Sequence, residues 1–116
     1  MSDNAESAPE PKAPKKSRLG LVLAIVVDAR SKDGELHHLK VVLAVEVAEG
    51  TPKDDFMRYS PRGREAAVAY LRSRSFEDLA SSDHYAEIRA ELAKQFIEAV
   101  GEKRVARVLI IDYVAQ

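Results

Sequence analysis

Apolar side chains alternate along the early part of the chain in the way that β-strands require. The first run covers residues 19–27, nine uncharged positions in which leucine, isoleucine and valine alternate with other apolar residues. A run that is apolar on both faces favours a buried strand. The following segment contains the pair Asp33-Gly34, which supplies the positive φ of a tight hairpin turn. A second strand is therefore predicted to begin near Leu36.

The second strand is predicted to have one buried face and one half-wet face. Lysine, valine, alanine and glutamate alternate with larger apolar residues between positions 39 and 47. Side chains on a strand point alternately to opposite faces, so the larger apolar residues share one side. These are Leu39, Val41, Leu43, Val45 and Val47.

Helical spacing replaces alternation after Gly50. Thr51 is predicted to cap the first helix, with Pro52 in its first position and Asp54 completing a capping box. Ser60-Pro61 repeats the cap-plus-proline pattern, so we expect a break or kink there before the helix continues to about residue 73. The apolar stripe of this helix is Ala67, Tyr70 and Leu71.

Two further helical segments follow. Ser75 is predicted to cap a short turn that directs Phe76 and Leu79 into the core. A longer helix is predicted over residues 84–100, capped by Ser82 or Asp83 and ended by Gly101. Its apolar stripe recurs every three or four residues: Tyr85, Ile88, Leu92, Phe96 and Val100.

The last element, residues 105–114, is rich in β-branched side chains and predicts a third strand that pairs with one of the first two. We expect Leu109, Ile111 and Tyr113 to share its inner face and to pack on the long helix. The order β-β-α-α-β predicts an α+β fold: a small, mainly antiparallel sheet with helices packed on one face.

Residues 1–18 differ in composition from the rest and are predicted to be a disordered tail before a domain at 19–116. They hold three of the five prolines and no large apolar side chain except Met1. The basic residues Lys15, Lys16 and Arg18 end the tail beside the first apolar run, where they could face a membrane surface. Residues 19–27 would span only about 14 Å as a helix, too short to cross a bilayer. A strand and a shortened membrane anchor both remain open for this run.

Composition excludes several classes of chemistry. The chain has 116 residues, enough for one core, and 18 basic against 19 acidic residues argue against nucleic-acid binding. Cysteine is absent, the five glycines are scattered, and no nucleophile elbow is present. His37 and His38 point to opposite faces of a strand, so they cannot chelate one ion. We therefore predict no catalytic, cofactor-binding or metal-binding residues, and no enzyme activity.

Basic residues cluster on the first helix among interleaved acids, a pattern typical of a solvated or partner-facing surface. Arg62, Arg64 and Arg72 are the candidate partner-binding residues. They could meet an acidic protein or a lipid headgroup.

Several segments together resemble the flagellar basal-body-associated FliL family. They are the strand at 39–47, Ser60-Pro61 with the following Arg64-Glu65, the segment Tyr-Leu-Arg-Ser-Arg-Ser-Phe-Glu-Asp-Leu at 70–79, and the ending Asp-Tyr-Val-Ala-Gln at 112–116. The match covers roughly residues 21–116. Gly63 stands where family members have an apolar residue, and it is expected to weaken the packing of the first helix.

The resemblance implies a stomatin-type domain and a non-enzymatic accessory of the bacterial flagellar motor. By family resemblance the chain would lie at the cell inner membrane with its domain in the periplasm, form homo-oligomeric rings, and associate with basal-body proteins and the stator units that generate torque. The alternative is a small soluble α+β ligand-binding or catalytic domain of unassigned substrate. That alternative would require a deep pocket with convergent polar groups.

Overall fold

Three antiparallel strands form one sheet in the order β1-β2-β3, so β2 is the central strand. The structure is a computed structural model that describes residues 18–116. Its elements are β1 (Arg18–Arg30), β2 (Leu36–Val47), α1 (Lys53–Arg72), α2 (Phe76–Ala80), a single 3₁₀ turn (Ser82–His84), α3 (Tyr85–Val100) and β3 (Val105–Ala115). This arrangement confirms the predicted α+β fold, and its order is β-β-α-α-α-β because the predicted short capped turn is itself the helix α2.

The core lies between one face of the sheet and the helices. All five odd-numbered apolar residues of β2 from position 39 to position 47 are buried, as their alternation predicts. Buried side chains of α1 and α3 meet them from the other layer. On α3 the predicted stripe is buried at Ile88, Leu92, Phe96 and Val100, while Tyr85 is only partly buried.

Residues 19–27 belong to strand β1, so the structure favours the strand over the shortened membrane anchor for this run. The strand is not buried on both faces. Ile25 and Val27 point into the core, whereas Val22 and Val26 are 54% and 61% exposed. No helix packs on that second face within residues 18–116, because both long helices contribute to the same core. The expectation of a fully buried first strand is therefore wrong.

Two bulges in β3 change which of its side chains face the core. The partner of Val42 is Asp112 and the partner of Leu43 is Ile110, so Ile111 has no partner on β2. A bulge adds one residue to one strand and reverses the alternation beyond it. Ile110 and Tyr113 therefore pack against the core, while Ile111 is 57% exposed. The predicted inner face is wrong for residues 109 and 111 and confirmed for Tyr113.

The start of α1 differs from the predicted capping box. Pro52 is the N-cap residue, without a side-chain hydrogen bond, and the helix begins at Lys53. The Thr51 hydroxyl instead donates to the carbonyl oxygen of Lys103, 3.0 Å away on the loop before β3. Thr51 thus joins two loops rather than capping a helix.

Helix α1 continues through Pro61, so the predicted break is wrong. Proline has no N–H, which leaves the carbonyl of Met57 without its usual helical donor four residues later. The Ser60 hydroxyl donates to that Met57 carbonyl at 3.3 Å and replaces the missing bond. Ser60 is itself buried, so this replacement hydrogen bond lies on the inner side of the helix.

Gly63 marks the closest approach between α1 and α3. A Cβ atom built on Gly63 would lie 2.6–2.7 Å from three carbon atoms of the Phe96 ring. Such a distance is far inside the normal separation of about 3.5–4.0 Å between carbon atoms. The absence of a side chain therefore allows the packing of α1 on α3, contrary to the expectation that Gly63 would weaken it.

The short elements follow the predicted caps in part. The Ser75 hydroxyl accepts from the backbone N–H of Asp78 and caps α2, and Leu79 is buried as predicted. The segment before α3 is capped by Ser81, which accepts from the N–H of Asp83, rather than by Ser82 or Asp83. Gly101 ends α3 with a φ of 119°, a conformation that favours glycine.

The start of β1 meets two loops at one end of the sheet, and we name this meeting point the loop junction, formed by Arg18, Thr51 and Lys103. A terminal nitrogen of the Arg18 guanidinium donates to the Thr51 carbonyl at 2.6 Å. Thr51 donates in turn to Lys103, as described above. The first residue of β1 is thereby linked to the loop that precedes the helices in the chain and, through Thr51, to the loop that follows them. Arg18 belongs to β1, one residue before the predicted domain boundary.

Candidate functional site

The outward face of α1 carries arginines that point away from the core. Arg58, Arg62 and Arg72 are all exposed. Arg62 follows Arg58 by four residues and precedes Arg72 by ten, so the three side chains fall within about a quarter turn around the helix axis. The Arg62 guanidinium lies 4.8 Å from the centroid of the Tyr59 ring, a cation–π contact that holds it along the helix surface.

Arg64 occupies a different part of α1. Residues two positions apart on a helix lie about 200° apart around its axis, so Arg64 lies on the flank. Met57, which is 44% exposed, lies on the same flank seven residues earlier, almost two full turns away. Two of the three predicted partner-binding residues, Arg62 and Arg72, thus share one face, and Arg64 does not.

These arginines keep their charge available for a partner. Within residues 18–116, Arg58, Arg62, Arg64 and Arg72 form no ion pair with a carboxylate. By contrast, Arg104 reaches Asp55 with its Nε at 2.7 Å from the carboxylate oxygen. The exposed part of α1 is therefore basic rather than internally neutralised.

A second candidate surface is the side of the sheet that none of the helices formed by residues 18–116 covers, which we name the outer sheet face. Its central residues come from alternate positions of all three strands and are mostly apolar. They are Leu19, Val22, Ala24 and Val26 of β1, Val42 and Ala44 of β2, and Leu109 and Val114 of β3. Exposed aliphatic side chains of this size on one continuous face are typical of an interaction surface.

A charged cluster lies where α2, the 3₁₀ turn and α3 meet. The Arg74 guanidinium lies 3.4 Å from the Asp78 carboxylate and 3.5 Å from Glu87. The His84 ring lies 3.4 Å from Glu87 and 3.7 Å from Asp78. Arg74 and the His84 ring contact the same two carboxylates, Asp78 and Glu87, so this cluster ties three elements together.

The groove beside this cluster contains the tyrosine of β3. The Tyr113 hydroxyl donates to the Leu79 carbonyl at 2.7 Å, and its ring meets the edge of Tyr85 with centroids 5.0 Å apart. Burial raises the pKa of Tyr113 to about 12, so the phenol stays a hydrogen-bond donor near neutral pH. Ser81, Ser82 and Asp112 also line the groove. The phenol acts here as a packing and anchoring group.

Comparison with known protein families gives one decisive match. The family model described as "Flagellar basal body-associated protein FliL" matches residues 21–116. The chain belongs to the FliL family. A comparison with curated proteins finds no match.

The family match covers every element of the FliL domain except the first three residues of β1. It includes the arginines of α1, the outer sheet face apart from Leu19, and the Tyr113 groove. FliL proteins are flagellar basal-body-associated, and the family is an accessory family that is not known to be enzymatic. The resemblance inferred from the sequence is thereby confirmed.

The histidines of this FliL domain serve separate local contacts. The His37 ring stacks on Phe76 with centroids 3.9 Å apart, and His38 contacts Asp28 on the other side of the strand at 2.8 Å. The two rings lie on opposite faces, as predicted by strand alternation. Among residues 18–116, no group of three or more His, Asp or Glu residues could hold a metal ion.

The N-terminal basic residues divide between described and undescribed parts of the chain. Lys15 and Lys16, predicted to lie near a membrane, fall outside the described residues, as does the predicted disordered tail apart from Arg18. Arg18 has its guanidinium in the loop junction. In the part of this FliL chain that is described, no helix is long and apolar enough to span a membrane.

Sequence reasoning missed two features of the FliL domain. The Arg74–Asp78 ion pair joins the residue before the Ser75 cap to the first turn of α2, and its four-residue spacing with opposite charges was the signal that the sequence offered. No sequence pattern indicated that the outer sheet face is uncovered. A strand that is apolar on both faces has the same pattern whether or not a second layer covers it.

Proposed function

We propose that this FliL protein is a non-enzymatic accessory of the bacterial flagellar motor that associates with stator units and supports torque generation. The family match over residues 21–116 carries this proposal, because it spans nearly the whole described fold. The basic outward face of α1 supports a docking role, since its arginines have no carboxylate partner within residues 18–116.

The proposal also includes a cellular location and an assembly for the protein. By family resemblance, the domain lies in the periplasm at the cell inner membrane, adopts a stomatin-type fold and self-associates into a ring around the stator. Arg62, Arg64 and Arg72 face an acidic surface of a neighbour or of a stator protein. Lys15, Lys16 and Arg18 lie near the membrane surface, where anionic lipid attracts basic residues.

Loss of the gene in flagellated cells tests the function directly. Swimming speed is measured in media of increasing viscosity, because an effect on torque grows with load. We expect the deletion strain to lose more speed than the parent as viscosity rises, and we expect stator subunits to co-purify with the protein after cross-linking. Unchanged swimming at every viscosity, without captured stator subunits, would contradict the proposal.

Charge-reversal variants connect the function to α1. Arg62→Glu combined with Arg72→Glu should leave the circular dichroism spectrum unchanged, because both side chains are exposed. The pair should weaken cross-linking and swimming under load. Lys94→Glu on the exposed side of α3 is the matched control, since it also reverses a basic side chain. Equal loss of swimming in the control would remove the special role of α1.

A ligand-binding or catalytic domain remains the competing function. It predicts a saturable small-molecule ligand that binds in the Tyr113 groove. A thermal-shift screen with the purified chain would support it if one compound raised the melting temperature and lost that effect in a Tyr85→Ala variant.

A further inference from the structure

Strand β3 has one edge that no other strand covers within residues 18–116. The sheet order β1-β2-β3 places β2 on one side of β3 and leaves the other side unpaired. His38 of β2 and Gln116 exchange two backbone hydrogen bonds, with N–O distances of 3.1 and 2.8 Å. In an antiparallel pair, residues that exchange such bonds alternate with residues whose N–H and C=O point away from the partner strand.

This alternation identifies the outward backbone groups near the end of β3. Residues 112 and 114 face β2 in the same way as Gln116, because they pair with Val42 and Lys40. Tyr113 lies between them, so its N–H and C=O point to the free edge. Neither group hydrogen-bonds to the backbone of a loop or helix within residues 18–116.

The bulge at Ile111 shifts the alternation by one residue in the earlier part of β3. The even-numbered residues of β2 face β3, and Ala44 pairs with Leu109. Leu109 therefore faces β2, whereas Val108 and Ile110 point their N–H and C=O to the free edge. The side chains at positions 108, 110 and 113 turn toward the core. Alternate side chains of a strand added at this edge would therefore enter the space between the edge and the helices.

A groove follows the free edge on the side of the helices. Its first part has a volume of about 480 Å³ and lies between residues 110–113 of β3 and the segment 79–82 with Tyr85. Its second part has a volume of about 210 Å³ and lies between Val108 and Ile110 on one side and α3 on the other. Ile110 lines both parts, so the groove follows roughly 17 Å of β3.

The wall that α3 contributes defines the side chains that an added strand would carry. Ala86, Ala90 and Ala93 leave room for an aliphatic side chain in the second part of the groove. Of the described residues that line this part, only Arg89 is charged. Its guanidinium lies 5.5 Å from the centroid of the Tyr85 ring and forms no ion pair with a carboxylate within residues 18–116. An acidic side chain in the groove would therefore meet an uncompensated positive charge.

We propose that the free edge of β3 and the wall of α3 bind an extended segment of another protein, which adds to the sheet as a fourth strand. Main-chain hydrogen bonds to residues 108, 110 and 113 hold the segment. An aliphatic side chain enters the groove beside Ala90, and an acidic side chain pairs with Arg89. This site is separate from the outward face of α1, so the inference goes beyond the proposed function and does not depend on self-association.

The free edge itself determines the chemistry of the occupant. Unpaired N–H and C=O groups along a strand edge are matched by an extended backbone, which offers acceptors and donors at the same repeat. A helical partner does not match them, because its backbone groups already bond to one another. The groove accommodates about six residues and falls below the area of stable interfaces, so we expect a dissociation constant that is micromolar or weaker.

Selection from a random peptide library provides the probe. A phage-displayed library of random decapeptides is selected on the immobilised full chain, and the strongest binder is synthesised with a fluorescent label. We expect the enriched sequences to lack proline in their central part, to carry aliphatic residues at alternate positions and to include at least one Asp or Glu. Fluorescence anisotropy then measures the affinity.

Methylation of the peptide's own backbone nitrogens tests strand addition directly. In an added strand, alternate N–H groups donate to β3 and the intervening ones face away. One alternating set of N-methyl groups should weaken binding at least tenfold, and the other set should change it less than threefold. Hydrogen exchange of the Ile110 and Tyr113 amides should slow at least tenfold when the peptide is bound.

Two variants of the protein locate the site. Ala90→Trp fills the second part of the groove, and Arg89→Glu reverses its charge. Both positions are exposed, so circular dichroism and melting temperature should stay close to those of the unmodified chain, while peptide binding should weaken at least fivefold. Ala69→Trp on α1 and Lys94→Glu on α3 are the matched controls, since they change exposed positions outside the groove. Both controls should bind the peptide as the unmodified chain does.

Several outcomes would overturn the proposal. Failure to enrich any peptide, or equal effects of the two sets of N-methyl groups, would exclude strand addition. Loss of binding in Ala69→Trp but not in Ala90→Trp would assign the peptide to α1. Slow exchange of the Ile110 and Tyr113 amides in the free chain would show that the edge is already covered, by a second copy if dilution removes the protection and within one chain if it does not. These readouts use purified protein, so they are independent of the swimming assays that test the flagellar role.

Discussion

Replacement of Gly63 by alanine should destabilise the domain, although alanine is the better helix former. In an exposed helix position, glycine to alanine gains about 1 kcal/mol. At Gly63 the new methyl group would lie 2.6–2.7 Å from the Phe96 ring. Overpacking of a core costs about 1–3 kcal/mol.

The upper part of that range applies here because Phe96 is fully buried and has neighbours on every side that resist its displacement. We therefore expect Gly63→Ala to lower the free energy of unfolding by about 1–2 kcal/mol net. For a domain of this size that corresponds to a fall of about 5–10 °C in melting temperature.

Urea denaturation followed by circular dichroism measures the effect, with Ala69→Gly as the matched control in the same helix. Ala69 is exposed, so the reverse exchange there should cost about 1 kcal/mol through helix propensity alone. Phe96→Leu provides a second check, because a smaller side chain leaves room for the methyl group. In that background Gly63→Ala should cost less or become stabilising.

The reasoning about α1 and α3 would be refuted by a stabilising Gly63→Ala exchange in the unmodified chain. It would also be refuted if the cost were the same with and without Phe96→Leu, since the two changes would then be independent.

Three further predictions concern side chains that join separate elements. Tyr113→Asp should unfold the domain at a cost of roughly 3 kcal/mol or more, because it removes a ring packed on the core and buries a carboxylate. Tyr113→Phe should cost only about 1 kcal/mol, because it loses only the hydrogen bond to Leu79. Urea denaturation distinguishes the two variants. Because the folded pKa of Tyr113 is about 12 and the ordinary value is 10, stability should be fully present below pH 10 and should fall as the pH rises from 10 toward 12. Tyr113→Phe should reduce that fall, and an unchanged pH profile would contradict the assignment. Arg104→Ala should cost about 1–3 kcal/mol through the lost contacts with Asp55 and with the Tyr59 ring 3.8 Å away, and Arg104→Lys should recover only part of it; equal stability of the three proteins would count against this prediction.

The sequence was informative where local spacing alone determines the structure. Alternation in β2 and the three-to-four spacing in α3 depend only on each element's own period, and their buried residues were predicted correctly. The bulge at Ile111 could not be read in this way, because it exists only in relation to the partner strand. It reversed the predicted orientation of Leu109 and exposed Ile111.

The predictions of an N-cap at Thr51 and of a helix break at Pro61 failed for a related reason. Thr51 has the residue type of an N-cap, yet its hydroxyl is taken by a carbonyl 52 residues away. Pro61 has the residue type of a helix breaker, yet the neighbouring hydroxyl of Ser60 satisfies the carbonyl that proline leaves free. In both cases a side-chain partner, rather than intrinsic preference, decided the outcome.

The candidate site was predicted by residue type but not by arrangement. Arg62 and Arg72 were identified from the excess of arginine, and the structure places them together on the outward face of α1. Arg64 could have been assigned to the flank from helical periodicity. The outer sheet face was not predicted, because a strand pattern does not reveal whether a second layer exists.

The loop junction has a mechanical consequence for any segment attached before Arg18. A pulling force on that side enters the domain at the first residue of β1, whose guanidinium is bonded to the Thr51 carbonyl, while Thr51 is bonded to Lys103. The load is therefore shared among β1, the loop before α1 and the loop before β3 at its point of entry. Peeling of β1 from β2 would also require this junction to break, so the junction adds to the resistance of β1 against a force applied at Arg18.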